Sequence, residues 1–373
     1  MTGSNAPSLE LRRASALVVT LRKKDVYEVT NFLQQISFLC NSQCLEILSG
    51  AADWKPAQGF FTDLSGYQAA SVAQALTRLV GLGALVVKGS KKAQADEDYA
   101  DHWEWGAAAG LFHFGTKDVQ FLTGRAADRH IEMRARIRTA PVMYTKNDDA
   151  AQPIKLPSVK SPDAVLTAML RRRTIRVFKK TSITQEELGE CLFSGLGIIG
   201  FYDHPILGRM PLTLTPSGGA RNPYEAYVYC QNIRGVERGI YHYSALEHSL
   251  GRVGPSRLPR ASRILSGQTW VDDAAAVLFL VANFDRTMWK YEFPLSYLVV
   301  IVEAGHIAQN IAVTAAKLGM VANPTMAIQE TIAERALGIG PPLQSVVYAM
   351  SLGYPNRRYD PLARSRPCPL SAF

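Results

Sequence analysis

The residue pattern predicts an α+β protein in two parts, a small winged-helix-like module followed by a larger domain. Three observations lead there. At 373 residues the chain is longer than one hydrophobic core usually serves. Residues 147–162 are rich in Pro, Asp and Ser, the composition of a connection rather than of a packed element. Beyond them, short hairpin-like strands mix with long helical periodicities instead of alternating in a regular βαβ succession. The expected boundaries are 1–125 for the module and its connector, 126–162 for a linker and 163–373 for the larger domain.

Within the module, residues 26–48 space their apolar side chains as one helix would, stopping near Gly50. A second amphipathic helix is expected over 65–82 and a short strand over 84–88, so that helices lead into a wing. The polar run 91–98 reads as a loosening of the chain, and the aromatic-rich run 102–125 as a connector packed on the larger domain. In the larger domain helices are expected over 163–172 and 185–196. Strands follow over 225–230, 239–243, 250–253 and 275–283, the last apolar up to Asn283. A long helix over 294–318, a short one over 328–337 and a closing strand over 345–352 complete the order.

Composition excludes several classes. With 47% hydrophobic and 20% charged residues the chain is neither disordered nor fibrous. Five scattered cysteines do not form a disulfide framework and point to a reducing compartment, here the cytoplasm. Cys40 and Cys44 would share a helix face, but no further Cys or His pair completes a zinc site, so no metal is expected. Polar residues within the long apolar helix, Glu303, His306, Gln309 and Asn310, argue against a membrane span. The start of the chain makes a poor signal peptide. The net charge of +9 raises the question of nucleic acid, but the candidate recognition helix carries only Arg78 as a cation, and no binding motif accompanies it. Part of that charge clusters instead over 171–180 and after the last strand, at Arg357, Arg358, Arg364 and Arg366.

Three constellations carry chemistry. Arg172, Arg173, Thr174 and Arg176 put three guanidiniums and a hydroxyl into five residues, which suits a phosphate, since arginine makes bidentate bonds to phosphoryl oxygens. A solvated basic face has the same composition. Pro216, Ser217, Gly218, Gly219 and Arg221 lie in the run TPSGGARNPY, where two glycines let backbone approach a ligand closely. Lys290 and Tyr291 follow the apolar strand: a lysine against an apolar wall can lose its proton and act as a base, with tyrosine as a relay, and the plainer alternative is an exposed lysine beside a packing tyrosine. Glu303, His306, Asn310 and Thr314 form a polar stripe on one face of the long helix, with a structural role favoured for His306.

RRRTIRVF resembles the opening motif of flavin-dependent nitroreductases, with Thr174 in place of the usual serine. TPSGGARNPYEAYVY, GIYHYSALEHSL and EAGHIAQN are similar to the SagB/McbC-type branch, which aromatises azoline rings in ribosomally made peptides; Asn222 stands where that branch commonly has histidine. The resemblance covers about 163–358. It implies a nitroreductase-like domain (a mixed sheet flanked by helices) that binds FMN as a homodimer with flavin at the interface. It also implies a Lys290–Tyr291 pair for proton abstraction, Met326 and Ala327 offering main-chain contacts to the flavin edge, and Arg357 adding phosphate charge. The implied partners are a precursor peptide and a cyclodehydratase, with the N-terminal module recognising or docking one of them. Competing functions are a nitro- or quinone reductase, an amino-acid or peptide desaturase, a non-catalytic flavoprotein scaffold, and a flavin-sensing DNA regulator.

Overall fold

The computed structural model describes residues 9–141, 143, 163–255 and 257–360. The N-terminal part opens with β1 (Glu10–Arg13), then a three-stranded antiparallel meander of β2 (Leu17–Lys23), β3 (Val26–Asn31) and β4 (Ile36–Cys40). Next come α1 (Ser42–Ser49), β5 (Lys55–Pro56), α2 (Ala57–Asp63), α3 (Ala69–Gly81) and β6 (Leu85–Val87). The second sheet has the order β5-β1-β6. Leu48, Phe60, Leu76 and Leu79 bury one face of the three helices against Leu11 and Leu85 of that sheet.

Two expectations are corrected here. Residues 26–48 are not one helix but two strands and a helix. Val26, Tyr27, Val29 and Thr30 are β-branched or aromatic and favour a pleat, the chain reverses at Gln35 with φ +54°, and Asn41 starts α1 by accepting a hydrogen bond from the Cys44 amide. Cys40 and Cys44 therefore lie on different elements. Moreover, β6 pairs with β1 instead of turning into a wing.

The run 91–98 is also ordered. It belongs to α4 (Lys91–His102), capped by Ser90, whose hydroxyl accepts the Ala93 amide. Buried Asp96 accepts the Ser15 amide at 2.8 Å and Arg12 at 2.9 Å, tying α4 back to β1. The chain continues into α5 (Gly106–Gly115) and α6 (Arg125–Ile137), so the first part of the expected linker is helical; residues 144–162, with most of that linker, lie outside the described residues.

The connector packs on the larger domain. The Trp103 and Trp105 rings stand edge to face 5.5 Å apart, and each meets Phe284 edge to face as well. Lys117 pairs with buried Glu334 at 2.7 Å, and the Asp118 side chain accepts the Thr331 amide at 3.0 Å.

The larger domain contains α7 (Ala164–Arg171), α8 (Gln185–Leu196), a hairpin of β7 (Ile198–His204) and β8 (Gly208–Thr213), β9 (Tyr224–Cys230), β10 (Gly239–Ser244) and β11 (Ser249–Val253). Then follow α9 (Ala261–Ile264), β12 (Ala276–Asn283), α10 (Asp285–Met288), α11 (Leu295–Lys317), β13 (Val321–Thr325), α12 (Glu330–Leu337) and β14 (Gln344–Gly353). Six strands form one sheet in the order β11-β10-β9-β12-β14-β13, every neighbouring pair antiparallel. Central β12 is buried at all eight positions, because α11 and α8 cover one face while α9 and α12 cover the other. By length and composition α11 is apolar enough to cross a bilayer; its inner face, including Glu303, is buried on the sheet.

Candidate functional site

The glycine run leaves β8 and is pinned from below. The Thr215 hydroxyl donates to the Gly195 carbonyl at 2.6 Å and accepts from Asn310 of α11 at 2.9 Å. Asn310 thus explains part of the polar stripe on that helix, whereas His306 is exposed. The Ser217 hydroxyl accepts the Asn222 amide at 2.8 Å, closing a tight loop in which Gly219, Ala220 and Asn222 all have positive φ.

Gly219 is the point of closest approach. A Cβ there would lie 2.3 Å from Tyr291 Oη and 3.0 Å from Lys290 Nζ, and φ is +62°. Lys290 Nζ donates to the Gly219 carbonyl at 3.4 Å. The structure thus brings the glycine loop and the Lys290–Tyr291 pair into direct contact. It also corrects the expected setting of the lysine. Within one chain Lys290 is exposed, not set against an apolar wall, because its neighbours Trp289 and Phe293 turn outward and are themselves 63% and 54% exposed.

Tyr291 is held from behind. Fully buried Trp105 donates its indole N–H to the Tyr291 carbonyl at 2.8 Å, so the connector fixes the backbone of the pair. Arg221 is partly committed to the framework: its Nε donates to the Arg286 carbonyl at 2.7 Å, and its guanidinium lies 5.0 Å from the centre of the Trp289 ring. Arg286 in turn donates to the Asn222 carbonyl at 3.0 Å and pairs with Glu225, whose second oxygen meets His242 Nε2 at 2.7 Å.

Under the loop lies a residue whose role the sequence left open. Glu303 is 4% exposed; its Oε2 accepts the Gly218 amide at 3.3 Å, and its carboxylate accepts a bond from the Ser217 side chain. Burial pushes this carboxyl up to about 7, and the two hydrogen bonds pull it back only in part. Ser217 and Gly218 therefore spend their polar groups inward, while Gly219 faces the lysine.

The arginine cluster sits elsewhere. Arg172 caps the end of α7, and Arg176 lies 5.7 Å from the Trp270 ring centre. Asn323 of β13 clamps the backbone between them, accepting the Ile175 amide at 3.1 Å and donating to the Ile175 carbonyl at 2.9 Å. The Asn356 amide donates to the Val177 carbonyl at 2.8 Å, which brings exposed Arg357 to the same end. Met326, 55% exposed, and Ala327 follow directly on β13. Arg173 donates to its neighbour's carbonyl, and among the described residues no carboxylate pairs with Arg172, Arg173 or Arg176. This cation-rich, half-exposed segment fits an anionic phosphate. Arg364 and Arg366 lie outside the described residues.

One chain does not join the two sets. Asn323 aligns with Ser351, whereas the loop's exit at Tyr224 aligns with Ala282 and thereby with Ser345. Six residues of strand separate these levels, about 20 Å at 3.3 Å per residue. Beside the loop, α11 presents an outer apolar stripe: Leu295, Leu298, Val299 and Val302 are between 41% and 63% exposed.

Comparison with known proteins accords with this architecture. Residues 169–354 match the model of the nitroreductase family, and that segment is a nitroreductase-family domain, of a family of FMN-dependent oxidoreductases. A protein of Methanocaldococcus jannaschii named as a nitroreductase is 29% identical over 153 residues, 41% of this chain and 73% of its own length. The trifolitoxin-processing protein TfxB of Rhizobium leguminosarum bv. trifolii is 32% identical over 151 residues, 39% of this chain but only 40% of TfxB. Among solved structures, the E. coli microcin synthetase McbBCD complex with truncated pro-MccB17 aligns at 18% identity and TM-score 0.43, over 63% of this chain and 85% of that one. Nitroreductase A of Vibrio parahaemolyticus aligns at 17% identity and TM-score 0.38, over 56% and 72%.

Proposed function

We propose that the protein is an FMN-dependent dehydrogenase that oxidises thiazoline or oxazoline rings of a ribosomally made peptide to the corresponding azoles. The observation that carries this is the contact at Gly219, where the lysine Nζ and a tyrosine hydroxyl meet a half-buried backbone turn. A reductase that only passes electrons has no need of such a base. The match to TfxB, named for trifolitoxin processing, supports a peptide substrate.

Aromatising the ring removes two hydrogens. Lys290, in its neutral form, takes one as a proton from ring carbon, and Tyr291 Oη lies beside it to relay that proton onward. Bound FMN supplies a hydride acceptor for the other hydrogen. Arg172, Arg173, Thr174, Arg176 and Arg357 hold the phosphate end, and Met326 and Ala327 lie along the same edge. Pro216, Ser217, Gly218, Gly219 and Arg221 form the opposite wall.

Since those walls stand at different ends of one sheet, the complete site belongs to a homodimer, with one copy's arginines beside its partner's glycine loop. The exposed stripe of α11 supports that pairing. A second copy would also cover Trp289 and Phe293 and so provide the apolar wall that Lys290 lacks in one chain. The N-terminal module is assigned to the precursor peptide: a groove of about 530 Å³ runs between β4, α1 and α3, lined by Phe38, Ile47, Val72 and Leu79 with Arg78 at its rim. A cyclodehydratase would supply the azoline.

The test offers purified protein a peptide carrying preformed azolines and, separately, a nitroaromatic with NAD(P)H. The proposal expects a yellow protein and a peptide lighter by the mass of two hydrogen atoms. Turnover of the nitroaromatic with no change in the peptide would favour the reductase reading that the family match also supports.

A further inference from the structure

We propose that Arg286 is a positioning residue, whose guanidinium and main-chain carbonyl lock the glycine loop to the segment that carries Lys290 and Tyr291 and so set the spacing between the two. The chemistry that this spacing serves rests on the dehydrogenase reading above, whereas the lock itself rests on contacts within the chain.

The lock is anchored in the sheet. Strand β12 runs almost directly into α10, and Lys290 follows two residues after that helix ends. β12 also pairs with β9 and sets Val281 beside Glu225. One carboxylate oxygen of Glu225 reaches Arg286, and the other meets His242 Nε2 of β10 at 2.7 Å. Burial pushes the Glu225 carboxyl up, but Arg286 and His242 outweigh it and hold the group below the usual carboxylate range, so the anchor stays ionised.

Arg286 then grips the loop in both directions. Its Nη1 donates to the Asn222 carbonyl at 3.0 Å, and its own carbonyl accepts Arg221 Nε at 2.7 Å. Arg221 also lays its guanidinium 5.0 Å from the ring centre of Trp289, the residue before Lys290. Because the Asn222 amide returns to the Ser217 hydroxyl, holding residues 221 and 222 holds the whole turn that contains Gly219.

The strengths of these contacts decide which of them sets the geometry. The bond from Lys290 Nζ to the Gly219 carbonyl is 3.4 Å long and exposed, so it follows the loop rather than holding it. The bonds of Arg286 are shorter, charge-assisted and spread over a rigid fork, which a lysine ammonium does not reproduce. The Arg286 and Glu225 side chains are 38% and 27% exposed, so their pair adds little to global stability and acts mainly on register.

Two variants of the full-length protein test this. Arg286→Lys keeps the charge but not the fork, and Glu225→Gln keeps the shape but not the charge. Both should speed amide hydrogen exchange of residues 217–222 roughly tenfold, the loss of one charge-assisted bond, while β9 and β12 keep their wild-type protection. With FMN bound and an azoline-bearing peptide supplied, flavin reduction should slow about 100-fold in Arg286→Lys, with flavin content and the half-saturating peptide concentration unchanged. Arg252→Lys makes the same replacement in an exposed ion pair with Glu237 at the sheet edge, and should match wild type in both measurements. Unchanged exchange at 217–222, or exchange that rises equally in β9 and β12, overturns the lock. Faster loop exchange with a full rate of reduction, or with only the half-saturating concentration altered, overturns the positioning role. If wild type oxidises no azoline the dehydrogenase reading fails, and the exchange measurement still decides the lock.

Discussion

Replacing Gly219 by alanine is the sharpest single perturbation of the site. The φ of +62° costs a residue with a Cβ about 1–2 kcal/mol by itself. The added carbon would also stand 2.3 Å from Tyr291 Oη, far inside contact distance, and 3.0 Å from Lys290 Nζ. Lysine can swing away at little cost. Tyrosine is less free, because Trp105 grips its carbonyl, so the ring or the loop must move by about 1 Å, a misplacement able to cost on the order of 100-fold in rate. Stability should therefore fall by only about 1–2 kcal/mol in thermal denaturation, while substrate-driven flavin reduction should fall about 100-fold with flavin retained. Gly81→Ala, with nothing within 4 Å of the added carbon at a helix end, is the control and should be neutral or slightly stabilising. A Gly219→Ala protein with a full rate of reduction would refute the claim that the pair works through contact with this turn.

Further expectations follow from the same geometry. Glu303 binds its proton more tightly folded than unfolded, so the stability it contributes is present below about 4.5 and is lost as pH rises through about 7, roughly 3 kcal/mol in all. Glu303→Gln should remove that slope and be the more stable protein at pH 8; denaturant curves that shift in parallel with wild type would contradict it. Val302→Glu, on the exposed stripe of α11, should yield monomers in sedimentation and a drop in flavin content, and an unchanged dimer would remove that stripe from the interface. Trp105→Phe keeps an aromatic side chain but deletes the bond to the Tyr291 carbonyl and leaves a small cavity in a fully buried site, at a cost of about 2 kcal/mol in stability, with slower flavin reduction as the readout that separates positioning from packing.

Much of the larger domain is legible because its local signals agree with its packing. The span of α8 is marked by Thr184 and Glu187, which form a reciprocal cap, and β12 by seven consecutive apolar residues that only a doubly covered strand would bury. The N-terminal strands are not, because Val26, Val29, Phe32 and Leu33 fit a helical period as well as a pleat; the meander's own pairing decides between them. The β7–β8 hairpin escapes notice for a related reason: Ile199, Phe201 and Tyr202 point outward, so no buried face announces it. Within the site, the sequence marks the glycine loop and the Lys290–Tyr291 pair but not their contact, which depends on a turn after α10. Glu303 carried a usable signal, a lone acid on the apolar face of a long helix; its partners at Ser217 and Gly218 lie 85 and more residues away and become visible only in the fold.

The central claim concerns Lys290, and rapid mixing under anaerobic conditions tests it most directly. Wild-type protein loaded with FMN and mixed with an azoline-bearing peptide should lose its flavin absorbance as the ring is oxidised. Lys290→Ala should bind the same flavin and peptide yet leave the absorbance unchanged over the same time. Bleaching of the variant at the wild-type rate would contradict the assignment of Lys290 as the base.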